Sequence, residues 1–246
     1  MPRQESGSVR RGRLRRDEVL LAGGARQRVN RADPSMTSYT LYGTRGSGSA
    51  AIEIALAACK QPFERVTAST WEPLSAQREL ARLNPMRQIP TLQLPDGSVL
   101  TESAAILIHL GLAFPESGLL PQVPSARSQA IRGLVFIAAN CYSAISIGDY
   151  PERWTTATTK PAHEKVRQGA RRQLHRHWEV FADTFGAAPY LAGKAPGALD
   201  FLAAVVSKWS GTRAHVCKER PRFAATLRRI EAHPLVKPVF AAHWSP

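Results

Sequence analysis

Two serines lie in a short glycine-rich turn that could bind an anion. The segment TRGSGS at 44–49 follows a strand-like run and precedes a helical run, and it contains Ser47 and Ser49. A hydroxyl group and the backbone N–H groups at the start of a helix can face one anion together. The same residue types also serve as ordinary turn and N-cap residues, so the pattern alone leaves both roles open.

A second candidate site lies where a strand pair meets the next helix. Glu102 and Ser103 come at the predicted start of this helix, with Ser103 as the candidate N-cap residue. The Ser103 hydroxyl and the first-turn N–H groups suit a carboxylate, and Glu102 can accept from an ammonium group. Taken alone, the pair is better explained as an N-cap serine beside an acid that the helix dipole favours.

Strands and helices alternate around these residues. Strand-like runs occur in SYTLYG and FERVTA, and a helical run, AAIEIALAACK, lies between them. A second helix is predicted in PLSAQRELARLN, and two strands, IPTLQL and SVLTE, surround the hairpin signal PDG. The order β-α-β-α-β-β-α predicts an α/β domain over 38–115, with parallel strands first and an antiparallel hairpin last.

The second half of the chain is predicted to be all-helical. A connection rich in Pro, Gly and Ser at 116–125 is a candidate linker, and the helical domain is placed at 126–246. Apolar spacing predicts a helix that is apolar nearly all round and therefore central, together with three further helices. The central helix is Leu199–Trp209, and the others are Ser128–Ile147, His163–Phe185 and Arg222–Ala232.

The net charge of +14 is distributed unevenly. Residues 1–35 contain nine Arg and four acidic residues, a net of +5, and 126–246 contain eighteen basic and eight acidic residues, a net of +10. No aromatic residues are interleaved with the basic ones, which argues against nucleic-acid binding and favours a solvated surface that attracts anions. We predict that 1–37 is an unstructured tail or reflects translation from an upstream start, because Met36 precedes the first strand.

Cysteine and histidine spacing gives no sign of a metal site. The three cysteines are scattered singly, which favours buried free thiols in a reducing compartment and hence a cytoplasmic protein. His175 and His177 are two apart on a predicted helix and therefore diverge. The longest uncharged apolar run, Ala104–Phe114, is too short to span a bilayer, so no membrane association is expected.

In this order, three segments make residues 38–246 resemble the cytosolic glutathione transferase family, of a bacterial and Ser-type kind. They are LYGTRGSGS, LNPMRQIPTLQLPDGSVLTESAAILIHL and PYLAGKAPGALDFLAAVV. The resemblance implies a thioredoxin-like N-terminal domain, an all-α C-terminal domain and a homodimer. At GALD, where the family has a capping box, Gly197 replaces the hydroxyl residue, so only Asp200 is expected to reach back to the N-cap N–H.

The resemblance also implies the residues that bind glutathione. Pro90 matches the family's cis-proline, and the resulting bend would leave the N–H and C=O of Ile89 free to pair with an extended peptide. With Pro90 twelve residues before Glu102, the binding role of Glu102 and Ser103 becomes the favoured one. Gln88, just before the strand, is a weaker candidate for the same tripeptide.

Several residues compete to face the glutathione sulfur. The turn hydroxyls Ser47 and Ser49 match the Ser-type classes, with Ser47 slightly preferred, and Arg45 could add positive field. Tyr42 is one residue out of register with the Tyr-type classes, a shift that turns a strand side chain to the other face. Gly48 matches the position where some bacterial classes carry a cysteine, so mixed-disulfide chemistry is disfavoured.

The expected reaction is attack of the glutathione thiolate on a small apolar electrophile. Tyr142, Tyr150 and Trp154 are predicted to line the electrophile pocket between the two domains. Glutathione is expected as co-substrate, and no metal is expected. The alternative is a non-catalytic glutathione-binding or protein-interaction module on the same fold.

Overall fold

The computed structural model describes residues 38–69, 71–72 and 75–244 of the 246-residue chain. The predicted basic tail at 1–37 lies outside the described residues. The proposed division at 116–125 stays a prediction, since residues from both halves contribute to one continuous apolar core.

A four-stranded sheet forms the first half of the fold. Its strands, in spatial order β2-β1-β3-β4, are β1 (Tyr39–Gly43), β2 (Phe63–Thr67), β3 (Thr91–Gln93) and β4 (Val99–Leu100). β1 pairs with β2 in parallel and with β3 in antiparallel orientation, and β3 and β4 form an antiparallel hairpin. The predicted parallel first pair and terminal hairpin are therefore confirmed.

Helices pack against both faces of this sheet. They are α1 (Ser49–Ala58), α2 (Gln77–Leu83) and α3 (Ser103–Ala113). Side chains alternate along β1, so Leu41 packs into the main core with α1 and α3, whereas Tyr42 packs with Leu80 of α2. This thioredoxin-like arrangement places the β1–α1 turn beside the start of β3.

Helices make up the second half among the described residues. They are α4 (Pro124–Phe136), α5 (Ser143–Asp149), α6 (Lys160–Phe185), α7 (Ala198–Val206), α8 (Thr212–Glu219), α9 (Pro221–Ala232) and α10 (Lys237–Trp244). Short 3₁₀ turns occur at Pro115–Ser117 and Pro151–Arg153. The helix predicted over 128–147 is interrupted by a π-helical segment, Ile137–Tyr142, between α4 and α5. The sequence analysis missed α8 and α10.

The predicted central helix is α7, and every one of its residues is buried. It contacts α1 and α3 of the first half and α4 and α9 of the second. Asp200 accepts from the N–H groups of Gly197 at 3.0 Å, Leu191 at 2.7 Å and Ala192 at 3.0 Å, which confirms its predicted reach to the N-cap. Burial raises the pKa of Asp200 to about 6, against the opposing effect of these N–H donors.

One continuous helical stretch in the described chain passes a simple test for a membrane span. Pro124–Asp149 is 26 residues long and apolar enough by length and composition alone, with 39% of its most apolar window buried inside the fold. Its inward face contributes Leu134, Ile137 and Cys141 to the main core. A core helix of a soluble protein passes the same test, so the finding is weak evidence for a membrane.

Candidate functional site

Ser47 and Ser49 both turn their hydroxyl groups into the β1–α1 turn. Ser47 Oγ donates to the carbonyl oxygen of Thr44 at 2.7 Å and lies 2.9 Å from Ser49 Oγ. Ser49 Oγ lies 3.3 Å from the same carbonyl oxygen, and both serines are buried. Each hydroxyl proton therefore has an acceptor within the turn.

The C-terminal helix holds this turn through a buried histidine. The N–H of Gly46 donates to His243 Nδ1 at 3.1 Å, and His243 Nε2 lies 2.9 Å from Glu53 Oε1. The same Glu53 oxygen lies 3.5 Å from Ser49 Oγ and 3.6 Å from an Arg65 guanidinium nitrogen. The turn is thus fixed to α1 and α10 by one polar network.

Gly48, the N-cap residue of α1, faces the cis-proline loop and the helical half. Its N–H has no hydrogen-bond partner among the described residues. A Cβ at this position would lie 3.4 Å from Pro90 Cδ and only 2.2 Å from the hydroxyl oxygen of Tyr142. A glycine is therefore required here while Tyr142 keeps its position, since such an approach is far inside van der Waals contact.

The Tyr142 hydroxyl is buried and finds no hydrogen-bond partner within the described part of the chain. Tyr142 ends the π-helical segment, and its ring packs against Trp209 with 5.8 Å between ring centroids. Burial raises the pKa of Tyr142 to about 12; the nearby Ser103 hydroxyl opposes this rise, and the Glu102 carboxylate adds to it. Glu102 and Ser103 are therefore electrostatic neighbours of this phenol.

The loop before β3 is held from inside and leaves one backbone edge unpaired. Asn84 Nδ2 donates to the carbonyl oxygen of Gln88 at 3.0 Å, and Thr91 Oγ1 donates to the same oxygen at 2.8 Å. The Ile89–Pro90 peptide bond is cis. The N–H and C=O of Ile89 have no hydrogen-bond partner among the described residues. Such an edge can pair with an extended peptide.

Glu102, not Ser103, is the N-cap residue of α3, so the predicted cap was wrong. Glu102 adopts φ 64°, its carbonyl accepts from the N–H of Ile106 at 3.0 Å, and the helix begins at Ser103. A positive φ is sterically costly for a residue with a Cβ. It leaves the Glu102 side chain exposed and Ser103 buried at the first helical position.

Tyr42 and Arg45 precede the sulfur-facing candidates Ser47 and Ser49 in the chain. The Tyr42 hydroxyl donates to Glu79 Oε1 at 2.5 Å on the α2 face of the sheet. Burial, reinforced by Glu79, raises the pKa of Tyr42. Arg45 lies in the turn with an exposed side chain. The Tyr42 hydroxyl is therefore engaged away from Gly48.

A cavity of about 470 Å³ is lined mainly by residues of the helical half and contains one of the three predicted pocket residues. Tyr150 lines this cavity, Trp154 is 57% exposed, and Tyr142 is directed to Gly48 instead. The structure thus separates the three residues. The cavity lining combines apolar and charged side chains: Trp71, Ala144, Gly148, Asp149, Tyr150, Arg167, Arg171, Leu174 and Ser210.

Comparison with known proteins agrees with this geometry. A family model described as the N-terminal domain of glutathione S-transferase matches residues 49–112. The uncharacterized GST-like protein YncG of Escherichia coli K12 is 39% identical over 116 residues, 46% of this chain and 56% of that protein. The chain spans about half the length of the curated relatives it matches.

Solved structures extend the likeness to the helical half. A glutathione transferase from Methylococcus capsulatus is 28% identical with a TM-score of 0.68, over 83% of this chain and 98% of that one. The family model and these relatives show that the chain is similar to glutathione S-transferases. A second transferase, from Methylobacterium radiotolerans in complex with glutathione sulfonate, is 25% identical with a TM-score of 0.68, over 85% of this chain and 97% of that one.

The fold brings together Gly48, Pro90 and Tyr142, with Glu102 and Ser103 as neighbours of the Tyr142 hydroxyl. The sequence analysis did not assign His243 or Gly48 a positive role, because neither residue has a local signal for one. Cys59 and Cys141 are buried free thiols, and Cys217 is an exposed one. No group of three or more potential metal ligands occurs in the part of the chain that the structure describes.

Proposed function

We propose that the protein is a glutathione transferase that binds glutathione and activates its thiol for attack on small electrophiles. The observation that carries the proposal is the convergence on one point of the α1 N-terminus at Gly48, the Pro90 loop and, through Tyr142, the α3 start. These are the segments to which the family resemblance assigns glutathione.

Backbone groups are proposed to bind the cysteinyl part of glutathione, and the start of α3 is proposed to bind its γ-glutamyl part. The unpaired N–H and C=O of Ile89 pair with the cysteinyl backbone, as in strand addition. The γ-glutamyl group lies at the start of α3, where the first-turn N–H groups and Ser103 receive its carboxylate and Glu102 receives its ammonium group. Gln88 contributes at the edge of the same loop.

Activation of the thiol requires donors that favour its anion. A thiol with a pKa of about 8.5 is mostly protonated at pH 7, so stabilising the thiolate increases the reactive fraction. The unpartnered N–H of Gly48 at the α1 N-terminus is one donor, Ser47 or Ser49 is a candidate for another, and Arg45 adds positive charge. The thiol proton passes to solvent, and the sulfur lone pair forms the new bond to the electrophile, whose leaving group departs with the electron pair of the bond that breaks.

The cavity beside Tyr150 is our proposed electrophile site. Trp71 and Tyr150 offer aromatic surface for an apolar body, whereas Arg167 and Arg171 offer a positive wall for an anionic substituent. Trp154, which is exposed, would contact only a larger substrate. We further propose a cytoplasmic homodimer that acts without a metal, a membrane or nucleic acid.

One experiment separates this proposal from a non-catalytic glutathione-binding module on the same fold. The protein is applied to immobilised glutathione, eluted with free glutathione and assayed with a panel of electrophiles. Retention with turnover supports the transferase, and retention without turnover supports the binding module. Failure to be retained, in protein that is folded by circular dichroism, would refute both.

A further inference from the structure

Three of the four tyrosine and serine hydroxyl groups that are candidates for contacting the sulfur have partners elsewhere. Ser47 and Ser49 hydrogen-bond to each other and to the Thr44 carbonyl, and Tyr42 donates to Glu79. Redirecting either serine hydroxyl to the sulfur would first require breaking its hydrogen bonds within the turn. The residue types predicted from the turn therefore do not offer an unoccupied donor.

The fourth hydroxyl belongs to Tyr142 and is buried without a well-formed hydrogen bond among the described residues. The Ser103 hydroxyl is close enough to lower its pKa, which makes Ser103 a donor to the phenolic oxygen and leaves the phenolic O–H without an acceptor. Its oxygen lies 2.2 Å from the position that a Gly48 Cβ would take, so it occupies the space of a side chain at the α1 N-cap. Buried polar groups in proteins are nearly always hydrogen-bonded, and an exception calls for an explanation such as a missing ligand. The N–H of the same residue, Gly48, also has no hydrogen-bond partner among the described residues.

We infer that the Tyr142 hydroxyl, supplied by the helical half, donates to the glutathione sulfur and stabilises the bound thiolate. This inference rests on the proposed function. It assigns to a residue outside the β1–α1 turn the role that the sequence analysis gave to Ser47 or Ser49. Tyr142 then acts together with the Gly48 N–H, and the glycine at 48 leaves room for the phenol.

Because its phenol stays protonated, Tyr142 acts as a hydrogen-bond donor and not as a general base. Burial raises its pKa to about 12, so the phenol remains protonated at neutral pH. The thiol therefore loses its proton to solvent, and the phenolic O–H forms a charge-assisted hydrogen bond to the resulting S⁻. No proton is transferred to or from Tyr142 during the reaction.

The direct test compares the wild-type protein with Tyr142→Phe. The ultraviolet absorbance of the bound glutathione thiolate is measured as a function of pH, which gives the pKa of the bound thiol in each protein. A hydrogen bond to a charged group corresponds to a rise of about one to two units in the pKa of the bound thiol. The fraction of thiolate at neutral pH should fall by about ten- to a hundredfold at most, while calorimetry detects continued glutathione binding. Tyr190→Phe is the matched control, because Tyr190 packs against His233 far along the chain and should leave this pKa unchanged.

A second pair of variants tests the position of the phenol without any ligand. Gly48→Ala alone should lower the melting temperature, because its Cβ overlaps the Tyr142 oxygen at 2.2 Å. In the Tyr142→Phe background the nearest remaining contacts are Pro90 Cδ at 3.4 Å and Tyr142 Cζ at 3.5 Å, so the same change should cost much less. Equal losses in both backgrounds would mean that the phenol does not lie there.

The outcomes distinguish this inference from the proposed function. If the wild-type protein does not bind glutathione, the proposed function fails. If it binds glutathione and the thiol pKa rises in Ser47→Ala or Ser49→Ala but not in Tyr142→Phe, a turn hydroxyl faces the sulfur and the inference is overturned. An unchanged pKa in all three variants overturns it as well, leaving backbone donors as the stabilising groups.

Discussion

The N–H of Gly46 donates to Nδ1 of His243 at 3.1 Å, so the last helix of the chain holds the first turn of the candidate site. Because Nδ1 accepts this bond, the neutral ring carries its proton on Nε2, which donates to Glu53 at 2.9 Å. His243 is buried, and both of its nitrogen atoms are engaged. The β1–α1 turn is therefore positioned by residues almost two hundred positions away.

We predict that His243→Ala destabilises the fold and loosens the turn. The change leaves the Gly46 N–H and the Glu53 carboxylate without their partner, at a cost of about 1–3 kcal/mol for each unsatisfied group. Chemical denaturation gives the change in the free energy of unfolding, and glutathione calorimetry gives the effect on the site. His109→Ala on α3, a half-buried histidine, is the control. If the two variants lose equal free energy of unfolding, the two hydrogen bonds of His243 do not stabilise the fold beyond the packing of a histidine side chain.

Local signals predicted the first half of the fold and its candidate site segments. The alternating runs, the PDG hairpin signal and the Gly/Ser turn are short-range features, and each predicted strand and helix has a counterpart between β1 and α3. Pro90, Glu102 and Ser103 could be predicted as binding residues because their spacing is a property of one continuous segment, and their role stays a prediction. The Ser103 cap was wrong because the positive φ of Glu102 shifts the cap by one residue.

The remaining features depend on tertiary packing and have no local signature. Tyr142 was assigned to the electrophile pocket by its position on an early helix of the second half, but the π-helical turn directs its hydroxyl to Gly48. His243 lies in KPVFAAHW, a short segment with a proline at its second position, for which no helix was predicted. Its partnership with Gly46 spans two ends of the chain and could not be derived from spacing.

The buried Asp200 should make stability fall as pH rises through the weakly acidic range. Its folded-state pKa of about 6 exceeds the value of about 3.9 in an unfolded chain, so the folded state binds the proton more tightly. The stabilising contribution is complete below about pH 4 and is lost as pH rises to about 6, an effect of roughly 3 kcal/mol.

Asp200→Asn isolates this contribution from that of other carboxyl groups. The free energy of unfolding is measured between pH 4 and 6 for both proteins, and their difference is plotted against pH. The variant should be less stable overall because it loses acceptors for backbone N–H groups, yet its stability should decline less over this range. Parallel curves would show that the Asp200 carboxyl titrates alike in the folded and unfolded chains.

Glu102→Gly should affect stability and glutathione binding in opposite directions. Glu102 has φ 64°, a conformation that glycine adopts without steric cost, so the free energy of unfolding should rise by about 1 kcal/mol. Loss of the carboxylate removes a charge-assisted bond to the ammonium group, and affinity should fall about ten- to a hundredfold. Calorimetry and denaturation on the same protein measure both effects.

Lys60→Gly provides the matched control for this prediction. Lys60 has φ 55° in the turn after α1, so the replacement relieves a similar backbone conformation away from the candidate site. It should also stabilise the fold but leave glutathione affinity unchanged. An affinity of Glu102→Gly equal to wild type would remove Glu102 from the site, whatever its effect on stability.

The charged wall of the cavity should select among electrophiles. Arg167 and Arg171 outnumber Asp149 in the lining, so the cavity has a positive balance beside the aromatic surface of Trp71 and Tyr150. We expect kcat/KM to be higher for an electrophile bearing a carboxylate than for its neutral methyl ester, with a preference that declines as salt is added.

Arg171→Ala should reduce that preference by roughly tenfold or less, since the side chain is exposed and its interactions are screened. Arg222→Ala removes an exposed arginine of α9 outside the cavity and should leave the ratio unchanged. Equal preferences in wild type and Arg171→Ala would exclude Arg171 from electrophile binding, and a preference for the ester in wild type would mean that apolar contacts dominate the cavity.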